Sequence, residues 1–173
     1  MTKQQLTLTA YKKLITSTEE VPLAIVLAKP KDDIFLSGAD ALVNPVNCVG
    51  VMGAGLAAIF KKRYPNMHQD YVEVCAKKKL EPGKLHVFRE DEFLTVVNFP
   101  TKIDYRDPSE LAYVELGLEA LFQWSDAVHK RIKSIAIPAL GCGLGGLEWD
   151  DVQPLIMEYA EDFPCDVIIY PPR

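Results

Sequence analysis

Twice in this chain, an apolar stretch typical of a buried strand leads into a glycine-rich loop and then into a helical pattern. The first unit starts at residue 41 and its loop ends at residue 56, and the second unit spans 133–162. A helix that follows a strand packs back onto the same sheet, so repeated units of this kind predict a layered α/β fold. Ligands of such folds bind in loops at the carboxyl ends of the strands, where both glycine loops fall.

The rest of the chain continues this alternation. Strands are predicted at 21–28, 41–46, 85–90, 93–100, 133–140 (ending at Pro138) and 165–172. Helices are predicted from Gly53 to Pro65 and at 67–79, 109–131 and 150–162, with Ser109 as an N-cap and Pro154 near a first turn. A length of 173 residues suits one domain. We expect it to span 21–173, with 1–20 forming an N-terminal extension or an edge strand.

Charge and cysteine content exclude several classes of function. The chain has 19 basic and 24 acidic residues, a net charge of −5, whereas general binders of duplex DNA or membranes rely on a positive field. No segment resembles a secretion signal or a membrane span. The four cysteines and three histidines lack zinc-site spacing. We therefore expect a cytoplasmic protein with reduced thiols, no metal and no cofactor. Because the sequence has no heptad pattern and no obvious exposed apolar stripe, we also expect a monomer.

The two glycine loops favour the binding of a diphosphate. Asn44-Pro-Val-Asn47 ends one strand before a run that includes Gly53 and Gly55, and four glycines follow another strand between Gly141 and Gly146. Glycines allow a ligand to approach the main chain closely, and the N-terminus of the next helix offers free N–H groups to an anion. The first loop has neither dinucleotide-binding nor P-loop spacing. The alternative is that each loop is only a tight turn.

Three further side chains could carry chemistry near these loops. Lys102 follows an apolar strand and could bind phosphate or act as a nucleophile, although a lone lysine is usually a solvated surface residue. Asp33 could accept a hydrogen bond from an exocyclic amine or could simply sit in a turn. Cys142 lies between glycines, but no base accompanies it, so a thiol nucleophile is disfavoured.

Together these motifs resemble the macrodomain family, whose members bind ADP-ribose. Within that family the resemblance is to the DarG-type DNA ADP-ribosyl glycohydrolases and the related terminal ADP-ribose protein glycohydrolase. The resemblance rests on Asp33-Ile34, Asn44-Pro-Val-Asn47, Val51-Met-Gly-Ala-Gly55, Asn98-Phe-Pro-Thr-Lys102 with Arg106 and Ser109 downstream, and Gly141-Cys-Gly-Leu-Gly-Gly-Leu147 before Trp149. It extends from about Asp33 to Tyr170.

The resemblance implies a three-layer α/β/α fold with a mixed, mostly parallel central sheet. It implies that Asp33 and the Ile34 backbone bind adenine, that Tyr170 walls the adenine pocket, and that Asn47 and Gly53–Gly55 surround the distal ribose. Gly141–Leu147 would cradle the diphosphate. The full set of implied substrate-binding residues is Asp33, Ile34, Asn44, Asn47, Val51, Met52, Gly53, Ala54, Gly55, Thr101, Pro138, Gly141, Cys142, Gly143, Leu144, Gly145, Gly146, Leu147 and Tyr170.

The activity implied is a glycohydrolase that removes ADP-ribose from a modified nucleobase, most readily thymidine in single-stranded DNA. Lys102 would be the catalytic amine that attacks the anomeric carbon or its opened aldehyde form. The implied partners are ADP-ribose, ADP-ribosylated DNA and, functionally, a DNA ADP-ribosyltransferase. The alternatives are an ADP-ribose 1″-phosphate phosphatase, a non-catalytic ADP-ribose-binding module, or a nucleotide-binding module unrelated to ADP-ribose.

Three positions depart from the pattern of these relatives. Ala54 replaces a lysine typical of DarG proteins, and Ile103-Asp104-Tyr105 replaces a stretch that often contains His-Trp. Gly145 stands where the terminal ADP-ribose protein glycohydrolase has an aspartate. A Lys/Asp mechanism would therefore need a second carboxylate from elsewhere, and Asp104 is the candidate.

Overall fold

The computed structural model describes residues 23–173, and six strands within them form one sheet. The strands are β1 (Ile25–Leu27), β2 (Ala41–Val46), β3 (His86–Arg89), β4 (Thr95–Pro100), β5 (Ser134–Ile137) and β6 (Asp166–Ile169). Their order is β1-β6-β5-β2-β4-β3. Every pair is parallel except β3 with β4, which is antiparallel. The mixed, mostly parallel sheet is confirmed.

Within residues 23–173, four helices and one short turn of 3-10 helix pack on the sheet. The helices are α1 (Gly55–Arg63), α2 (Pro65–Ala76), α3 (Leu111–Ala127) and α4 (Trp149–Ala160), and the 3-10 turn is Ile34–Leu36. Pro65 ends the helical pattern of α1 as predicted. It also begins α2, because proline at a first helical position gives up an N–H that would be unpaired there in any case.

Side chains from the two faces of the sheet form two separate core clusters. Val43, Phe99 and Ile137 face α3 and α4 on one side, where Val114, Leu118 and Ile156 meet them. On the other side, Leu42, Val96 and Ala136 pack with Phe60, Met67 and Tyr71 of α1 and α2. The alternation along each strand therefore buries both faces of the sheet and gives the three layers of the α/β/α fold.

Two local predictions about helix ends were wrong. Ser109 does not cap α3, because Glu110 holds the N-cap position and the backbone N–H of Ser109 donates to the carbonyl oxygen of Gly145 at 2.9 Å. Pro154 is the sixth residue of α4 and not part of its first turn. Pro154 is exposed, so solvent can reach the backbone carbonyl that its missing N–H leaves without a partner.

The predicted extension at 1–20 and the first residues of the strand predicted at 21–28 lie outside the described residues. Within residues 23–173, no helix combines the length and the apolar character needed to cross a bilayer.

Candidate functional site

A cavity of about 870 Å³ opens at the carboxyl ends of the strands. Val46 at the end of β2, Lys102 after β4, Pro138 after β5 and Tyr170 after β6 all line it. This volume is within the range of sites for cofactor-sized ligands. Its position is the one that parallel sheets provide for ligands, because their loops converge there.

Most of the residues predicted to bind substrate meet at this cavity. Those that line it are Ile34, Asn47, Val51, Gly53, Ala54, Gly55, Thr101, Pro138, Gly141, Cys142, Gly143, Leu144, Gly145 and Tyr170, together with Lys102. Five predicted residues do not line it, namely Asp33, Asn44, Met52, Gly146 and Leu147.

The loop after β2 is held in shape by the side chain of Asn47. Its Oδ1 accepts hydrogen bonds from the backbone N–H groups of Val49 at 3.1 Å and Val51 at 3.2 Å, and its Nδ2 donates to the Val51 carbonyl at 2.6 Å. The loop leads into α1, where Ala54 is the N-cap and no side chain caps the helix. The first N–H groups of α1 therefore remain free to bind an anion at the cavity.

The loop after β5 folds back on itself through glycine. The N–H of Leu147 donates to the Gly141 carbonyl at 3.0 Å, and Gly141 and Gly146 have φ of 72° and 78°. A side chain is strained in this left-handed region. At position 145, glycine is required for a steric reason instead. A Cβ atom there would lie 2.2 Å from Ser109 Oγ and 2.4 Å from the Gly141 carbonyl oxygen.

Lys102 joins the two loops. Its Nζ donates to the carbonyl oxygen of Leu144 at 3.3 Å. The segment around Lys102 is fixed to the loop after β2, because Thr101 N–H donates to the Val46 carbonyl at 3.0 Å and Cys48 N–H donates to the Ile103 carbonyl at 2.8 Å. Contacts with the loops after β2 and β5 thus hold the amine at the cavity wall.

At the other end of the cavity, the last residues of the chain meet the 3-10 turn. Ile34, Tyr170 and Arg173 line this end. The carboxylate of Asp33 accepts the N–H of Phe35 at 3.0 Å and lies 3.6 Å from an Arg173 guanidinium nitrogen. Asp33 therefore shapes the turn that carries Ile34, and it lies beside the cavity rather than in its wall.

Asn44 belongs to a buried polar network behind the cavity. Its Nδ2 donates to Asn98 Oδ1 at 2.8 Å, and Asn98 Nδ2 pairs with His86 Nδ1 at 2.8 Å. His86 Nε2 in turn pairs with Asp70 Oδ2 at 2.7 Å. Because Asn98 donates to Nδ1, the proton of a neutral His86 lies on Nε2. The network links three adjacent strands of the sheet with α2, and Asn44 is fully buried and does not line the cavity.

Tyr105 forms part of the cavity mouth, and the residues beside it are held together by charge. Tyr105 lines the cavity with 51% of its surface exposed. Arg106 lies over the Tyr105 ring, 5.4 Å from its centre, and also binds both carboxylate oxygens of Asp104. These hydrogen bonds hold the pKa of Asp104 well below its usual range. Asp104 shapes this loop and does not line the cavity, so its role as a second catalytic carboxylate stays a prediction.

The thiol of Cys142 is at the cavity but is not activated. Burial raises its pKa to about 11, with a smaller contribution from Glu148. A thiol with such a pKa carries little thiolate at neutral pH and is a poor nucleophile. Among residues 23–173, His, Cys, Asp and Glu side chains form no cluster of three that could hold a metal ion.

Several cavity residues were missed by sequence reasoning. Pro171, Pro172 and Arg173 follow the last strand, and Ser109 precedes α3, yet all four line the cavity. The resemblance extended only to about Tyr170, so it gave no signal for the last three. The order Pro108-Ser109 before an apolar helix suggested a cap. The backbone hydrogen bond from Ser109 N–H to the Gly145 carbonyl, which joins it to the loop after β5, has no local sequence signal.

Comparisons with known proteins agree with this geometry. The family model of the Macro domain matches residues 43–156. A DNA ADP-ribosyl glycohydrolase of Mycobacterium tuberculosis is 41% identical over 144 residues, which cover 81% of this chain and 40% of that protein. The chain thus spans about 40% of the length of this curated relative.

Solved structures show the same fold. The macrodomain of Mycobacterium tuberculosis DarG matches with a TM-score of 0.83 and 38% identity, over 88% of this chain and all of that one. Thermosipho africanus DarTG, solved in complex with ADP-ribose, matches with a TM-score of 0.78 and 35% identity, over 88% of this chain and 43% of that one.

Proposed function

The chain belongs to the macrodomain family, and from that premise we propose that it binds ADP-ribose and hydrolyses the bond that joins ADP-ribose to a DNA base. The proposed base is thymidine in single-stranded DNA. The observation that carries the proposal is the placement of the Lys102 amine at the cavity wall, between the two glycine loops. The names of the relatives that match most of this chain support DNA as the substrate class.

The cavity offers a suitable place for each part of ADP-ribose. At one end, Ile34 and Tyr170 supply apolar surface that suits the adenine ring. The free N–H groups at the start of α1 and the glycine loop after β5 suit the diphosphate. The distal ribose would then lie beside Lys102, with the attached base at the open mouth near Tyr105.

In the proposed reaction, the lone pair of Lys102 Nζ forms a bond to the anomeric carbon of the distal ribose, and the bond from that carbon to the base nitrogen breaks. The base nitrogen keeps the electron pair and gains a proton, while Nζ loses one. Water then bonds to the same carbon, the bond to Nζ breaks, and a proton of that water passes to Nζ. The products are the intact base, free ADP-ribose and the regenerated amine.

The negative net charge is compatible with this substrate. Recognition would centre on the ADP-ribose group held in the cavity, so it needs no strong positive field along the strand. We also propose that the protein works opposite a DNA ADP-ribosyltransferase, because a hydrolase of this modification needs an enzyme that attaches it.

The test is release of ADP-ribose from a single-stranded oligonucleotide that carries ADP-ribosyl-thymidine. We expect wild type to release it and Lys102→Ala to be slower by at least about 100-fold, since the nucleophile is missing. Binding of free ADP-ribose should stay within about threefold of wild type. Lys84→Ala is the matched control, because Lys84 is exposed and paired with Glu81 at 2.8 Å outside the cavity.

Other outcomes would select the alternatives. Unchanged release by Lys102→Ala would overturn the lysine mechanism. Tight ADP-ribose binding with no release from the oligonucleotide would leave a reader of ADP-ribose or, if phosphate is released from ADP-ribose 1″-phosphate, a phosphatase. Failure of the wild type to bind ADP-ribose would overturn the proposed function as a whole.

A further inference from the structure

The hydroxyl of Tyr71, on α2, is bonded to a residue of the cavity wall. It donates to the backbone carbonyl oxygen of Asn47 at 2.7 Å and to Asn47 Oδ1 at 3.0 Å, so one proton is shared between two acceptors of the same residue. Tyr71 is fully buried, whereas Asn47 lines the cavity. Burial raises the pKa of Tyr71, so the hydroxyl keeps the proton that makes this contact.

Asn47 lies directly opposite Lys102. Val46, the residue before Asn47, accepts the Thr101 N–H at 3.0 Å, and Cys48, the residue after it, donates its N–H to the Ile103 carbonyl at 2.8 Å. The neighbours of Asn47 are therefore bonded to the neighbours of Lys102. The contact made by Tyr71 accordingly reaches the part of the cavity wall that faces the amine.

The same contact fixes which way the Asn47 amide points. Besides the Tyr71 hydroxyl, Oδ1 accepts the backbone N–H groups of Val49 and Val51, so three donors converge on this oxygen. A flipped amide would place the Nδ2 protons against the N–H groups of the loop, which is unfavourable. The amide therefore has one orientation, with its oxygen turned into the loop.

This orientation determines what Asn47 can offer a ligand. Nδ2 carries two protons, and one of them is donated to the Val51 carbonyl at 2.6 Å. The described part of the chain supplies no acceptor for the other. The hydrogen-bonding group of the side chain that is left for a ligand is therefore a donor, which suits an oxygen atom of a sugar.

Resting on the proposed function, we propose that Tyr71 is a positioning residue, which acts through Asn47 to hold the wall that orients the distal ribose of ADP-ribose toward Lys102. Tyr71 does not line the cavity and touches no ligand. Its effect should therefore depend on the Asn47 side chain and on the presence of the distal ribose.

The first test compares ADP-ribose with ADP, which lacks the distal ribose, by calorimetric titration of wild type and Tyr71→Phe. We expect Tyr71→Phe to bind ADP-ribose about fivefold more weakly and ADP within about twofold of wild type, since one hydrogen bond is lost behind the distal ribose. Tyr159→Phe is the matched control, because Tyr159 lies on α4 and does not line the cavity. This control should bind both ligands normally.

The second test is a double-mutant cycle with Asn47→Ala, also read out as ADP-ribose affinity. In the Asn47→Ala background, Tyr71→Phe should weaken ADP-ribose binding by less than about twofold, because only the contact with the backbone carbonyl is then lost. A fivefold loss in both backgrounds would show that Tyr71 does not act through the Asn47 side chain, and would overturn the inference.

The remaining outcomes separate this inference from the proposed function. If Tyr71→Phe melted earlier than wild type but bound ADP-ribose with unchanged affinity, Tyr71 would have a structural role alone. An equal loss of affinity for ADP and ADP-ribose would overturn the assignment to the distal ribose. Either result leaves the proposed function standing, whereas failure of wild type to bind ADP-ribose would overturn both.

Discussion

The amine of Lys102 lies 3.3 Å from the carbonyl oxygen of Leu144 and donates a hydrogen bond to it. Lys102 follows β4, whereas Leu144 lies in the glycine loop after β5, so this bond joins loops from two strands that flank β2. The proposed nucleophile is therefore positioned by the same loop that would cradle the ligand. A change in that loop should alter both binding and the placement of the amine.

The side chain of Leu144 reaches across the cavity toward the other glycine loop. It is 75% exposed, and a Cβ atom placed on Gly55 would lie 3.6 Å from Leu144 Cδ1. We expect Leu144→Ala to raise the dissociation rate of ADP-ribose about fivefold, because it removes an apolar cover worth about 1 kcal/mol. Stopped-flow displacement measures this rate.

The melting temperature of Leu144→Ala should not change, since the side chain contributes little to the core. Leu116→Ala serves as the control, because Leu116 is 53% exposed on α3 and does not line the cavity. An ADP-ribose dissociation rate equal to that of Leu116→Ala would show that Leu144 does not cover the ligand.

Tyr105 should contact the base to which ADP-ribose is attached. Its ring is half exposed at the cavity mouth, and the Arg106 guanidinium lies over it. Stacking of a base on an aromatic ring contributes about 1–3 kcal/mol. Tyr105→Ala should therefore raise the KM for the modified oligonucleotide at least about fivefold, with the affinity for free ADP-ribose unchanged.

Tyr105→Phe keeps the ring and should behave like wild type in the same steady-state assay. If Tyr105→Ala had a wild-type KM for the oligonucleotide, the base would have to be recognised elsewhere or not at all.

Local patterns predicted the sheet well and the site only in part. Runs such as Leu42–Val43 and Val96–Val97 are β-branched or aliphatic and buried on both faces, so their assignment to strands was secure. Both glycine loops and Lys102 lie at the cavity, where the strands before them predicted they would be, and their roles in binding and catalysis stay predictions. Ser109 and Asn44 were misjudged, because their roles depend on partners at Gly145 and Asn98, which are distant in sequence.

Asn98 should be a stability residue rather than a binding residue. Its Oδ1 accepts from Asn44 and its Nδ2 pairs with His86, so Asn98→Ala leaves two buried polar groups without partners. We expect the free energy of unfolding to fall by about 3 kcal/mol, measured by urea denaturation. Asn66→Ala, at an exposed position on α2, should change it by less than about 0.5 kcal/mol. If Asn98→Ala changed the free energy of unfolding by a similarly small amount, the buried polar network would not stabilise the fold as proposed.

The thiol of Cys142 should react slowly at neutral pH. Because burial raises its pKa from 9.0 to about 11, the folded protein retains the thiol proton, and the stability gained from this is present below pH 9 and lost as the pH rises toward 11. The rate of alkylation by iodoacetamide should rise over the same range. Peptide mass spectrometry resolves Cys142 from Cys48, whose pKa burial raises to about 12.

Saturating ADP-ribose should protect Cys142 from alkylation and leave Cys48 unaffected, since Cys142 lines the cavity and Cys48 does not. Rapid alkylation of Cys142 at pH 7 would show that its thiol is activated, contrary to its burial.

Three glycines of the loop after β5 should respond differently to alanine, because their surroundings differ. A Cβ atom on Gly145 would overlap Ser109 and the Gly141 carbonyl, whereas one on Gly143 or Gly146 would meet nothing within 4 Å. Gly146 has a φ of 78°, so alanine there carries only backbone strain, about 1 kcal/mol. Gly145→Ala must instead displace backbone, and we expect it to lose at least about 2 kcal/mol of stability.

Urea denaturation should therefore rank the variants Gly143→Ala, Gly146→Ala and Gly145→Ala from most to least stable. Equal stability of Gly145→Ala and Gly143→Ala would mean that the loop can move away from Ser109, and the contact that fixes both Ser109 and the Lys102 amine would then be weaker than the structure indicates.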